Sequence, residues 1–302
     1  MNREDSLLRR PAGAGTQTKD NPVRLSVKID SFAYPDGTEA MHDISLDVMK
    51  GEFVGLLGSN GSGKTTLLKI MDGLIKDFRG TVRLDDAEIR KLSPKDIYRK
   101  VGLVFQSPDD QLFAATVAED VAFGPLNMGF SEKDTAARVN KALADVDMEG
   151  YAKKSIHHLS FGQKKRICIA GLLAMGHEIL LLDEPTAGLD PMGEYKMMRL
   201  LTRLNKDHGI TIVMATHSVD LVPVFLDRLY ILSRGKIVRG GSPEEVFTAP
   251  KDMEQVKLRL PHIAEMIYKL KHEDKIGFGK IPLTVGEARR EILKIMEDGK
   301  EG

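Results

Sequence analysis

A chain of 302 residues in which 44 Lys and Arg are balanced by 44 Asp and Glu carries no net charge. That balance argues against a dedicated nucleic-acid binder, which shows a basic excess. A single cysteine, Cys168, excludes a disulfide within the chain and fits a reducing compartment. No apolar run approaches the ~20 residues of a membrane-spanning helix, and residues 1–22 lack the apolar core of a signal peptide. The expectation is a soluble protein, or one that reaches a membrane only through partners.

Residues 1–22 are rich in Arg, Gly, Thr, Asp and Asn, with little to bury, and read as a disordered leader. From Val23 the pattern changes. Val23, Leu25, Val27 and Ile29 alternate with polar residues, as do Ile44, Leu46 and Val48, so two half-exposed antiparallel strands are expected. The turn Pro35-Asp36-Gly37 lies between them, after Phe32 and Tyr34. The apolar run Phe53–Leu57 reads as a buried strand and Leu67–Met71 as a helix.

Between that strand and helix stands Gly58-Ser59-Asn60-Gly61-Ser62-Gly63-Lys64-Thr65-Thr66, with the spacing G-x-x-x-x-G-K-[ST]. Glycines let the backbone curl so that successive N–H groups converge on an anion. The new helix adds its free N-terminal N–H groups and the positive end of its dipole. Lys64 supplies a point charge for the β- and γ-phosphates, and the Thr65 hydroxyl is a ligand for Mg²⁺. A nucleoside triphosphate with Mg²⁺ is the expected ligand pair.

Further on, Thr81–Leu84 is a short strand, and Ser93-Pro94-Lys95-Asp96 opens a helix with an N-cap serine and a first-position proline. Val101–Phe105 reads as a strand ending at Gln106. The next fifty or so residues carry helical periodicity, and Ser131-x-x-Asp134 opens the clearest helix, to about Asp147. Strands return at Ile179–Asp183 and Thr211–Thr216, both apolar enough to lie centrally in a parallel sheet. Between them a helix runs from Pro191 to His208 with Asp190 as N-cap. A hairpin is expected around Arg234-Gly235, then a short helix capped by Ser242. Amphipathic helices are expected at about 254–272 and 285–298, the second opened by Thr284-x-x-Glu287.

Asp183 and Glu184 end an apolar strand behind the glycine loop. Asp183 is placed to hold Mg²⁺ through water, and Glu184 to activate an attacking water. Leu159-Ser160-Phe161-Gly162-Gln163 precedes a helix starting Lys164-Lys165-Arg166. Ser160 and Gln163 form a capping box there, and a hydroxyl with a glycine N–H at a helix start also makes an anion site. Cys168, early in that helix, reads as a small buried side chain. The adjacent pair His157-His158 is weak evidence for a metal site.

The order of glycine loop, Gln106, Leu-Ser-x-Gly-Gln, Asp183-Glu184, Ala187-Gly188-Leu189-Asp190 and His217 resembles the nucleotide-binding subunit of an ABC transporter, over about residues 23–248. The resemblance implies an α/β fold: a P-loop NTPase core with an antiparallel β subdomain and a helical subdomain at about 107–160. A small C-terminal helical domain would occupy 249–302. It also implies ATP as the nucleotide, and roles. Tyr34 resembles the aromatic that stacks on adenine, and Gln106 the glutamine that touches Mg²⁺ and the attacking water. Ser160 and Gly162 with Gln163 resemble the signature that meets the nucleotide of the opposite protomer, and Asp190 adds cross-dimer positioning. His217 resembles the histidine that contacts the γ-phosphate. Phe161 departs from the commoner glycine of the signature, and its side chain is expected to point away.

Gln106-Ser107-Pro108-Asp109-Asp110-Gln111-Leu112-Phe113, with Leu159–Arg166, Leu260-Pro261 and Pro282–Val285, is similar to the energy-coupling-factor importers, the cobalt ATPase subunit above all. That implies ATP hydrolysis powering import and a second ATPase subunit, identical or a paralogue. It also implies a transmembrane coupling subunit, a substrate-binding membrane subunit, and a place on the cytoplasmic face of the cell membrane. Vitamin and nickel importers share most of these features. A reading from another class is a soluble ABC ATPase of DNA repair or translation. The segment after Gln106 is expected to expose Leu112 and Phe113 and to offer Asp109 and Asp110 to basic residues of a partner.

Overall fold

The computed structural model describes residues 21–247, 253, 256 and 258–298. The leader expected at 1–22 falls almost entirely outside the described residues, as does the boundary expected at 248/249. Two sheets carry the chain. The first is antiparallel: β1 (Val23–Ala33), β2 (Glu39–Met49), β4 (Arg79–Leu84) and β5 (Ala87–Glu88), in the order β2-β1-β4-β5. Leu25, Val27 and Ile29 of β1 are buried while their neighbours are not, which is the one-sided burial that the alternation predicts.

The second sheet has six strands: β3 (Phe53–Leu57), β6 (Val101–Val104), β7 (Ile179–Asp183), β8 (Thr211–Thr216), β9 (Arg228–Ser233) and β10 (Lys236–Gly241). Their order is β10-β9-β3-β8-β7-β6, parallel throughout except for the β9–β10 hairpin. Every residue of β3, β7 and β8 is buried, so these strands read as unbroken apolar runs. Their side chains divide by period two. Leu180, Leu182, Ile212 and Met214 enter one core with the helical layer, whereas Leu181, Val213 and Leu56 enter the other with the antiparallel sheet. Each fully buried Leu or Ile contributes ~1.5–3 kcal/mol to holding these layers together.

The helices are α1 (Lys64–Met71), α2 (Pro94–Tyr98), α3 (Val117–Asn127), α4 (Glu132–Asp145), α5 (Phe161–Met175), α6 (Pro191–His208), α7 (Val222–Phe225), α8 (Pro243–Phe247), α9 (His262–His272) and α10 (Val285–Asp298). The caps at Ser93, Ser131, Ser160 and Asp190 all form. A capping box at Thr116 and Glu119, which starts α3, is a further start signal that the sequence held. α4 stops two residues short of the expected end, because the chain turns left-handed at Asp147 (φ 56°). The helix expected at about 254–272 is not continuous: 258–260 are not helical and α9 starts at His262, while 254, 255 and 257, where the expected start falls, lie outside the described residues. Pro261 disfavours helical geometry at Leu260. Asp220 then fixes the entry, accepting from the His262 N–H at 2.9 Å and from the Arg259 guanidinium.

The C-terminal segment joins the main core through Leu258, Leu260, Ala264 and Leu283, and builds a small core of its own around Ile267, Phe278 and Ala288. Among the described residues no helix is long and apolar enough to cross a membrane.

Candidate functional site

Four neighbouring strands end along one edge of the parallel sheet, where ligands of such sheets bind. Leu57 pairs with Thr216, Asp183 with Ala215, and Val104 with Leu182. The residues just past those ends are therefore neighbours in space: Gly58 after β3, His217 after β8, Glu184 after β7, and Gln106 beyond β6.

Gly58 has no room for a side chain, since a Cβ there would lie 2.5 Å from the Leu232 carbonyl and from Ser62 Oγ. Gly63 is the N-cap of α1, at φ 106°, and no side chain caps the helix. The first-turn N–H groups of α1 thus open toward the loop with the positive end of the dipole, which makes an anion cradle. Ser62 Oγ is buried there without a protein partner. Asn60 and Gly61 lie exposed at the loop's tip. The Lys64 ammonium is buried, donates to the carbonyls of Gly58 (2.8 Å) and Ser59 (3.2 Å), and sits 3.6 Å from Glu184 Oε1. Burial pulls its pKa below the usual lysine value, against the opposing pull of Glu184 and Asp183.

The Thr65 hydroxyl donates to Asp183 Oδ2 at 2.7 Å, while Asp183 Oδ1 is buried with no partner. Burial raises the Asp183 pKa, and the Thr65 bond opposes it. A hydroxyl and a carboxylate held together, with one oxygen unengaged, are the hard oxygen donors that Mg²⁺ takes. The residues present fit that ion. Gln106 lies just beyond β6, the strand beside the β7 that carries Asp183, and is exposed.

Glu184 is 5 % exposed and has a left-handed backbone, φ 50°. That conformation costs a non-glycine residue about 1–2 kcal/mol. Its N–H donates to the Ala215 carbonyl (3.0 Å), and its own carbonyl accepts from Ala187 N–H (3.1 Å). Its carboxylate oxygen Oε1 lies 3.0 Å from His217 Nδ1. His217 itself is half exposed, so the pair bridges the interior and the open edge.

Sequence reasoning missed Lys165. It is 1 % exposed, and its Nζ donates to the Glu184 carbonyl at 2.7 Å. Burial pulls its pKa down to about 8. The signal was its spacing, for Lys165 falls in helical register with Phe161, Cys168 and Leu172 on the inward face of α5. Cys168 is buried as expected, and burial pushes its thiol up to about 12. His157 and His158 lie exposed in a one-turn 3₁₀ helix.

Tyr34 is partly exposed, packs edge-on against Phe32, and shares a 2.7 Å hydrogen bond with the Thr66 hydroxyl at the base of the loop. At the start of α5, Ser160 Oγ accepts from Gln163 N–H (3.3 Å) and Gln163 Oε1 accepts from Ser160 N–H (2.9 Å). Gln163 Nε2 also donates to the Tyr151 hydroxyl. The Phe161 ring lies over Gly188, and Gly162 faces Leu189, so this segment rests on the loop that leads to Asp190. Asp190 caps α6 by accepting from Gly193 N–H at 2.6 Å. Among the described residues no hydrogen bond or ion pair joins Ser160, Gly162, Gln163 or Asp190 to the Gly58–Thr66 loop.

The segment after Gln106 departs from expectation in two ways. Asp109 is held within the chain by Lys164 Nζ at 2.6 Å, and Leu112 is half buried against the main core. Both follow from α5 packing beneath the one-turn helix at 108–110. Phe113 is 66 % exposed and meets exposed Phe123 edge-on at 4.7 Å between ring centres.

Residues 41–187 match the family described as ABC transporter. A putative ABC transporter ATP-binding protein of Geobacter sulfurreducens is 72 % identical over 91 % of this chain and 99 % of its own length. The energy-coupling factor transporter ATP-binding protein EcfA of Methanococcus maripaludis is 48 % identical over 88 % of this chain and 96 % of its own. Among solved structures, cbiO1 of Clostridium perfringens, described as part of the ABC transporter complex cbiONQ, matches with TM-score 0.72 and 40 % identity. That match covers 82 % of this chain and all of the other. A dimeric ATP-binding cassette in a post-hydrolysis state with ADP and Pi matches with TM-score 0.65 and 30 % identity, over 72 % of this chain and 98 % of the other.

Proposed function

The chain belongs to the ATP-binding subunits of ABC transporters of the energy-coupling-factor type and hydrolyses ATP with Mg²⁺, and from that premise we propose that it powers cobalt import from the cytoplasmic face of the cell membrane. Cobalt is favoured by the similarity of Gln106–Phe113 and Leu159–Arg166 to the cobalt subunit.

The observation that carries the reading of the site is the buried set Lys64, Asp183 and Glu184 beside half-exposed His217. In this reading the Gly58–Thr66 backbone and Lys64 bind the phosphates. Thr65 and Asp183 hold Mg²⁺, with Gln106 beside them, and the ion when bound offsets phosphate charge. Glu184 accepts the proton of the attacking water, and His217 orients that carboxylate and reaches the γ-phosphate. Tyr34 stacks on the adenine. Ser160, Gly162, Gln163 and Asp190 serve the nucleotide of a second ATPase subunit. The Phe113–Phe123 pair, a few residues beyond Gln106, receives a membrane coupling subunit, which works with a substrate-binding membrane subunit.

The test expresses the chain with its membrane subunits and measures uptake of cobalt, nickel and vitamins beside ATP hydrolysis. Cobalt uptake that stops with Lys64→Ala supports the reading, whereas uptake of another solute alone replaces cobalt. Mixing Lys64→Ala with Ser160→Arg chains tests the shared site. ATP-dependent association of mixed dimers, which retain one intact site, is the expected result, and its absence removes the cross-dimer assignment.

A further inference from the structure

Lys165 is a buried cation that the reaction as described does not use. Its ammonium bonds a main-chain carbonyl, that of Glu184, at 2.7 Å, and no carboxylate lies within ion-pair distance of it among the described residues. The same carbonyl accepts from Ala187 N–H, and Glu184 N–H donates to Ala215, so one residue's backbone is pinned at three points. That backbone is left-handed, a region non-glycine residues rarely occupy. Pro185 follows and disfavours the ordinary helical alternative for Glu184. Rotation about this peptide would swing the carboxylate away from His217 and Lys64, which it meets at 3.0 and 3.6 Å.

A buried ammonium is costly to desolvate and is readily replaced by an apolar side chain of similar volume. Stability alone therefore gives little reason for a lysine here. Its ammonium lies over the Phe161 ring, 5.1 Å from the ring centre, and it stands one turn into the helix that Ser160 caps.

We propose that Lys165 is a positioning residue: by donating to the Glu184 carbonyl it holds the catalytic glutamate in its left-handed pose and ties that pose to the helix bearing Ser160 and Gly162. The inference rests on reading Glu184 as the base. It makes α5 a lever: a shift of the helix start moves a donor that Glu184 depends on.

The experiment compares Lys165→Met, Lys165→Gln and Glu184→Gln in the purified full chain. Three readouts are taken: ATP turnover, equilibrium ATP binding without hydrolysis, and amide hydrogen exchange. Lys165→Met is expected to lower kcat by about 10- to 100-fold while ATP binding stays near wild type. Exchange of the Glu184 and Ala187 amides should quicken, with α6 unchanged. Lys165→Gln, smaller and still a donor, should show the same split to a lesser degree and gives a second folded variant. Wild-type turnover in the folded Lys165 variants overturns the inference, as does a loss of ATP binding that matches the loss of turnover. Glu184→Gln separates the two readings. If it abolishes hydrolysis while Lys165→Met does not, only the positioning role falls; if it hydrolyses normally, the base assignment falls first.

Discussion

The strand-end edge and the Phe113–Phe123 face lie on the same protein but are built by opposite rules. At the edge, Lys64, Lys165, Asp183 and Glu184 are all nearly inaccessible, two cations against two carboxylates. Removal from water makes each charge sensitive to its neighbours, which is what chemistry needs. At the other face the charges are exposed or already paired, as Asp109 is with Lys164, and two aromatic rings stand in solvent. Exposed paired aromatics suit a partner surface better than a reaction. Substitutions at the edge should therefore change turnover, and substitutions at the face should change assembly.

The largest effect is expected at the edge. Glu184→Gln keeps the shape and removes the basicity, so phosphate release should fall by about 10²–10⁴. ATP binding should persist and an ATP-held dimer accumulate, visible by size exclusion. Near-normal hydrolysis would break the comparison at its stronger end.

Next comes the face. Replacing Phe113 and Phe123 together by Ser should weaken assembly with the membrane subunits by about 2 kcal/mol, roughly 30-fold, and reduce uptake. ATPase activity of the purified subunit should be unchanged. Equal losses in both assays would mean that the face serves the nucleotide site after all.

A third test asks whether burial of a basic group is enough to signal function. His177 is buried at the opposite end of β7 from Glu184, with Nδ1 2.8 Å from the Leu172 carbonyl and Nε2 2.7 Å from the Tyr98 carbonyl. Burial lowers its pKa below the ordinary 6.5. The unfolded chain then takes up the proton first, so its contribution to stability is present above pH 6.5 and is lost as pH falls toward the lowered value. Wild type should lose more thermal stability between neutral and mildly acidic pH than His177→Gln, with turnover at neutral pH alike in both.

The smallest effect is expected from Asp109→Asn. An exposed ion pair of this kind contributes about 1 kcal/mol or less, so the melting temperature should barely move. A large stability loss would show that the face is less solvated than its exposure implies.

The legible parts of the sequence are those governed by neighbours in the chain. The glycine loop, the caps at Ser93, Ser131, Ser160 and Asp190, and the alternating and unbroken apolar strands are set by backbone chemistry within a few residues. Spacing singles out Lys64, Thr65, Asp183 and Glu184, whereas Tyr34, Gln106 and His217 are singled out only by the resemblance to the ABC family. The start of α9 is harder to read, because the apolar period continues through a segment that Pro261 and the distant Asp220 interrupt. Asp109 looks free for a partner because the lysine that holds it is 55 residues away.

The sequence by itself determined the strand-loop-helix cradle and the acids at the end of β7, because hydrogen-bond period and steric allowance act locally. Only the tertiary structure decided which of those groups meet. The strand order sets β7 beside β8, and so puts Glu184 against His217. The packing of α5 brings Lys165 to the Glu184 carbonyl, 19 residues on. The first sheet's approach to α1 sets Tyr34 on Thr66. Such contacts depend on which faces exclude water together, and the spacing of residues along the chain does not carry that information.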